Sequence, residues 1–226
     1  LDSLLQSAIR NNVNWCKKVS ELHGGIHLTK GNVWGLTTQA PKFYPDLITT
    51  DQTVTTQEVV EFIGNREILS IKDSFSNIDM SFLGYKILFE AEWICHEAVS
   101  VLVSNSNDWK TIQTEEEVVN WTTACGLEGI ITADLLRDSE VVIFGKGDLN
   151  EEKGFIVNQA AKVIGVSNVF SQNPKSHEHW SEIPQIASTI FPRLPLVGYE
   201  HGEDLKAALQ IGWKSMGPLR VWIKDY

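Results

Sequence analysis

LGYKILFEAEWI at 83–94 and IGWKSMGPLRVWI at 211–223 are the two stretches on which the fold turns. Each opens on a glycine followed by an aromatic residue and a lysine, and each runs into an apolar segment closed by Trp-Ile. The first ends Glu92-Trp93-Ile94 and the second Val221-Trp222-Ile223. From Gly84 to Trp93 is nine residues, and from Gly212 to Trp222 is ten. A glycine at a helix end supplies the left-handed cap, and the β-branched and aromatic residues after it read as a strand. Backwards from each glycine lie a short helix and another strand. They are SNIDMSF (76–82) after REILSIKD (66–73), and HGEDLKAALQI (201–211) after LPLVGYE (194–200). One strand–helix–Gly–aromatic–strand pattern therefore occurs twice.

Outward from these blocks, residues 3–22 place Leu4, Leu5, Ala8, Ile9, Val13, Cys16, Val19 and Leu22 at helical spacing. The polar pair Asn11-Asn12 interrupts that face and predicts two short helices, ended by Gly24-Gly25. GIHLTKGNVWGLTT (25–38) and YPDLITT (44–50) read as strands, with Lys30-Gly31-Asn32 as a hairpin turn. Thr55 or Thr56 caps a helix over QEVVEFIG, closed by Gly64. In the second half Thr114 caps a helix with Val118, Val119 and Trp121 on its buried side. Residues 140–159 form a strand–turn–strand stretch with Gly145-Lys146-Gly147 as its turn, and 160–172 continue as an apolar strand. HWSEIPQIASTIF (179–191) is helical, with Ser181 as cap and Pro184 still in the first turn. The turn residues SNSND near 97–107 mark a boundary, giving an N-terminal module at 1–97 and a C-terminal module at 98–226.

Composition bounds the partners. Of 226 residues, 42% are hydrophobic and 21% charged, so the chain can bury a substantial core. Most of the eight tryptophans fall at apolar positions and read as core. Nineteen basic against 29 acidic residues give a net charge of −10, which disfavours nucleic acid. Cys16, Cys95 and Cys125 lie far apart with no metal-like spacing, which fits a reducing cytoplasm. No apolar run approaches the ~20 residues of a membrane span, and LDSLLQSAIRNN reads as a helix rather than a signal peptide.

A helix, a Gly-aromatic turn and a final strand resemble the end of an acyl-CoA N-acyltransferase domain of the GNAT type. The resemblance covers 140–226 most fully and 20–95 less so. It implies a mixed α/β (α+β) fold, a central mixed sheet flanked by helices, in two modules of which the first is degenerate. It further implies that residues 163–170 and 177–191 match the strand and helix that hold acyl-CoA. A strand splayed from its neighbour leaves backbone groups for pantetheine amides, and the helix N-terminus faces the pyrophosphate. On that match Val166, Ser167, Asn168, Val169, Phe170 and Ser171 meet pantetheine, and Gln172, Lys175, Ser176 and His177 meet the pyrophosphate. Glu200 or His201 would then act as the base, with Tyr199 beside them, in acyl transfer from acetyl-CoA to a small-molecule or peptide amine.

The sequence also departs from the family's pattern. The glycine-rich pyrophosphate turn is replaced by Gln172-Asn173-Pro174-Lys175-Ser176-His177-Glu178-His179, where Glu178 would repel a phosphate. The tyrosine that protonates the leaving thiolate has Ala208 in its place. These departures motivate a second reading, an interaction module that has lost CoA chemistry, and a third is a single α+β domain unrelated to the family. Glu200 also reads as a helix-start acid. His177 and His179, two apart, fall on different sides of a helix and make no metal site. Asn168, inside an apolar strand, either pins an irregularity or binds a ligand amide.

Overall fold

The computed structural model describes residues 3–99, 108–147, 152–173 and 177–224. In chain order the elements begin α1 (Leu4–Leu22), β1 (His27–Lys30), β2 (Val33–Leu36), β3 (Leu47–Thr49), α2 (Thr56–Ile63), β4 (Ser70–Asp73) and β5 (Lys86–His96). There follow β6 (Lys110–Thr111), α3 (Glu115–Cys125), β7 (Val141–Lys146), β8 (Lys153–Ala160) and β9 (Val163–Ser171). The chain ends with α4 (His179–Ile190), β10 (Leu196–Glu200), α5 (Gly202–Gln210) and β11 (Lys214–Ile223). The boundary expected near 97–107 falls mostly on 100–107, outside the described residues.

All eleven strands join one mixed sheet in the order β1-β2-β3-β4-β11-β5-β10-β9-β8-β7-β6. Two pairs are parallel, β3 with β4 and β9 with β10, and each is bridged by a helix as a parallel connection requires. The two strands with the Gly-aromatic entry, β5 and β11, lie side by side and antiparallel at the centre. They are exchanged: β11 pairs with β4, and β5 pairs with β10. Each half of the sheet is closed by the other half's last strand.

Alternation along the strands sorts the core into two faces. Ile48, Ile143 and Ile156 pack under α1 and α3, and Val163 and Val197 pack under α1 with Ala8 and Ile9. Leu196, Ile164, Phe155 and Val157 face α4 and α5. Leu47 and Ile71 face α2. All eight tryptophans are buried, beyond the majority that the sequence placed in the core.

The structure corrects several local expectations. Helix α1 is unbroken, because Asn11 is not a break but a buried anchor. Its Nδ2 donates to the carbonyls of Asn158 and Ala160 at 3.0 and 3.4 Å. Gly165 lies below it, and a Cβ there would come within 1.9 Å of Asn11 Oδ1. The helical turn expected over 76–82 is a 3-10 turn at Ser81–Leu83. Val119 points to solvent, and Thr122 joins Val118 and Trp121 on the buried side of α3. Gly145 and Lys146 belong to β7 rather than to a turn, while 148–151 lie outside the described residues. Residues 160–172 are not one strand: Ala161 and Lys162, both at positive φ, turn the chain between β8 and β9.

Helix α4 begins at His179 rather than after Ser181, whose N–H and Oγ both donate to the Glu178 carbonyl. Pro184 is therefore the sixth residue of the helix, where a proline withholds the N–H due to the carbonyl four residues back. That carbonyl, on Trp180, instead accepts from Trp213 Nε1 at 3.1 Å. The Gly212-Trp213 turn thereby satisfies the group that Pro184 leaves open.

Candidate active site

Strands β9 and β10 pair only at their beginnings, Ile164 with Leu196 and Gly165 with Val197. At the next position a Cβ on Gly198 would meet the Val166 carbonyl oxygen at 2.9 Å. Beyond this contact the two strands share no further pairing and form a fork. In the same region β9 leaves regular register with β8, between Gly154–Phe170 and Ile156–Ser167. Asn168 occupies that bulge at φ +51°, with its Nδ2 donating to Ser167 Oγ at 3.2 Å. An irregular strand frees backbone N–H and C=O groups that a regular ladder would consume.

Val166 is buried, whereas Ser167, Asn168, Val169, Phe170 and Ser171 are partly exposed along the open arm of β9. Phe170 packs edge-on against Trp121, 5.2 Å between centroids, and so serves the core under α3. Gln172 is exposed and binds back to the Glu152 N–H through its Oε1 at 3.1 Å. Lys175 and Ser176 lie outside the described residues.

Beside the open end of the fork stand the N-termini of α4 and α5. No side chain caps α4 among the described residues. His179, its first residue, is buried with Nδ1 lacking any hydrogen-bond partner. Burial is the main reason its pKa falls to about 4; Lys153 and His177 add to the effect and Asp204 opposes it. His177 does not lie on the opposite side of the helix, because it precedes the helix. Its Nδ1 is 3.1 Å from Asp204 Oδ1, which also accepts from Trp180 Nε1 at 3.1 Å. Asp204 of α5 therefore ties the start of α4 to its own helix. Glu178, mostly exposed, leans toward Lys153 at 3.8 Å. Ala208 is fully buried and packs in the core beneath α4 and α5.

The three candidate catalytic residues separate by face. Glu200 follows Leu196 and Gly198 toward α4 and α5. Its carboxyl is pushed up to about 8, first by burial and then by the charge of Asp204, against one backbone hydrogen bond from His201. Tyr199 follows Val197 toward α1. It stands edge-on to Trp93, 5.6 Å between centroids, and its hydroxyl accepts from Lys72 Nζ at 3.1 Å. His201 is exposed, caps α5 without a side-chain bond, and stacks on Phe89 at 5.0 Å. Glu200 and Tyr199 thus flank the fork from opposite faces, and His201 lies outside it. Lys72 was not singled out in the sequence: it lies inside REILSIKD, and Asn12 of α1 and Tyr199 of β10 pack against it where it is buried.

The arrangement offers what a long anionic ligand needs. It has free backbone along β9, a helix start without a side-chain cap, and an unpartnered buried imidazole nitrogen. No cluster of His, Cys, Asp and Glu able to hold a metal occurs among the described residues. No described helix is long and apolar enough to cross a membrane.

No family model matches the chain, and no curated protein matches it in sequence. Solved structures do match. A conserved protein of unknown function from Staphylococcus epidermidis superposes with TM-score 0.62 at 12% identity, over 89% of this chain and 94% of that one. A candidate acetyltransferase from the GNAT family of Novosphingobium aromaticivorans superposes with TM-score 0.61 at 13% identity, over the whole of both chains. The chain has the GNAT acyltransferase fold, as the two Gly-aromatic closures predicted.

Proposed function

We propose that this protein transfers an acyl group from acetyl-CoA to a primary amine at the fork between β9 and β10. The observation that carries the reading is Glu200, a carboxyl raised to about 8 beside a strand pair that opens after two residue pairs. A carboxylate of that basicity is suited to taking a proton from an amine near neutral pH, directly or through one water. Acetyl-CoA, when bound, supplies an activated acyl group. The protein's own part is to bind it by β9 backbone and the start of α4, to position the amine, and to hold the proton at Glu200. We read the fork at β3 and β4 as a second copy of the same unit, without ligand chemistry.

Isothermal titration with acetyl-CoA tests this reading. Saturable binding in the micromolar to millimolar range is expected, and a flat titration at millimolar ligand removes the enzymatic reading. Asp204 favours an alternative, an interaction module, because its bonds to His177 and Trp180 draw α4 and α5 together where the ligand would pass. In that case Asp204→Asn would leave acetyl-CoA still unbound.

A further inference from the structure

We propose that Lys72 is a positioning residue of this site, holding Tyr199 so that its O–H is donated into the fork. The proposal rests on the acyl-transfer reading for its chemistry, and on geometry alone for its placement. Lys72 comes from β4, in the other half of the sheet, and is only 3% exposed. Buried lysines normally find a carboxylate. Lys72 has none among the described residues: its Nζ donates to Asn12 Oδ1 at 2.9 Å and to Tyr199 Oη at 3.1 Å. It also sits 4.2 Å from the centre of the Tyr199 ring.

Donor counting then fixes the tyrosine. An ammonium has three donors and no acceptor, so Tyr199 Oη accepts from Lys72 and its own proton must go elsewhere. No described residue accepts it. Tyr199 and Asn12 both line a cavity of about 10 Å³ at the fork, together with Gly165, Val166, Ser167 and Gly198. Room of that size holds about one water-sized acceptor. Asn158 lines the same cavity with its Nδ2 buried and unpartnered, so a second donor is without an acceptor there. The cavity thus presents donors to an acceptor atom, and Tyr199 is the one with a transferable proton.

In acyl transfer the sulfur that leaves the thioester needs a proton. Tyr199, on β10, is placed to supply it. As the C–S bond of the tetrahedral intermediate breaks, the Tyr199 O–H bond breaks and the S–H bond forms; the phenolate left behind is stabilised by the Lys72 ammonium, and solvent returns the proton.

The test has one arm that needs neither ligand nor turnover. Tyrosine labelled with carbon-13 at the ring carbon bearing oxygen gives a resonance for Tyr199, assigned by its loss in Tyr199→Phe. Lys72→Met is expected to move it, and an unmoved resonance overturns the proposal. In the kinetic arm, Lys72→Met and Tyr199→Phe are each expected to lower kcat about a hundredfold, with calorimetric acetyl-CoA affinity held within about twofold. The double variant should be no slower than either single one, because the pair acts as a unit. Full kcat in Tyr199→Phe, or losses that multiply in the double variant, overturns the proposal. Should Lys72→Met lose its cooperative melt, Tyr199→Phe decides, since it keeps the ring against Trp93. If the wild-type protein takes up no acetyl-CoA, the acyl-transfer reading fails, and the resonance arm still decides the placement of Lys72.

Discussion

The sheet contains two forks of the same kind, β3–α2–β4 and β9–α4–β10, and their sequences finish them differently. In the first, Thr55 and Glu58 form a capping box that satisfies the start of α2. Asp73, at the end of β4, accepts the N–H groups of Phe75 and Ile78, and Thr49 Oγ1 accepts from the Ser74 N–H at 2.8 Å. In the second, α4 starts without a side-chain cap, His179 Nδ1 is buried without a partner, and Glu200 sits near 8. The first fork pairs most of these groups, with Ser74 Oγ left buried and unpartnered, while the second leaves the start of α4 without a side-chain cap and His179 Nδ1 unpaired. Buried polar groups are nearly always paired, so each unpaired one calls for an explanation.

The largest expected effect breaks the comparison at its root. Residues 98–226 expressed alone keep the second fork but lose β4 and β5, the partners of β11, and α1 above β8 and β9. We expect no cooperative thermal transition from that fragment. A sharp melt with retained acetyl-CoA binding would show that the strand exchange is dispensable.

Next comes Glu200→Gln, which should lower kcat/KM by about 10²–10³ if the carboxyl takes the amine proton. Wild-type activity should rise with pH through about 8, since a base must be ionised, and the variant should lose that limb. Asp73→Asn, the corresponding cut in the first fork, should leave the rate unchanged.

Stability sharpens the contrast on a smaller scale. Glu200 keeps its proton to about 8 when folded but releases it near 4.5 when unfolded, so the native state binds more protons between those values. Stability should therefore fall as pH rises across that window, by on the order of 2–4 kcal/mol. Glu200→Gln should flatten the decline in a melting series. His179 behaves oppositely. With its folded pKa at about 4 against 6.5 unfolded, it costs stability as pH falls through that range, and His179→Phe should soften the loss. The smallest effect belongs to the first fork, where Thr55→Ala should cost about 1 kcal/mol in chemical denaturation without touching ligand affinity.

Much of this was legible along the chain, because its causes are local. Thr55 and Thr114 announced their caps, Gly84 and Gly212 announced the closing strands, and the tryptophans announced the core. The exchange of β5 and β11 was not legible, since identical local syntax serves a strand in either half of the sheet. Asn11 looked like a helix break because its partners, the carbonyls of Asn158 and Ala160, lie across the fold. Pro184 looked early in its helix because the donor that compensates for it, Trp213, reaches the Trp180 carbonyl from 33 residues further along the chain. At the site, Glu200 and Tyr199 stood out by their place at a strand end, but their separation onto two faces needed the fork itself. Lys72 gave no signal at all, since its burial depends on three elements that are distant in sequence.

Hydrogen–deuterium exchange with and without acetyl-CoA puts the asymmetry of the two forks to the most direct test. Protection concentrated in β9 and the first turns of α4, with β3 and α2 unchanged, is the predicted result. Protection at the β3–α2–β4 fork instead, or no change anywhere at saturating ligand, would contradict it.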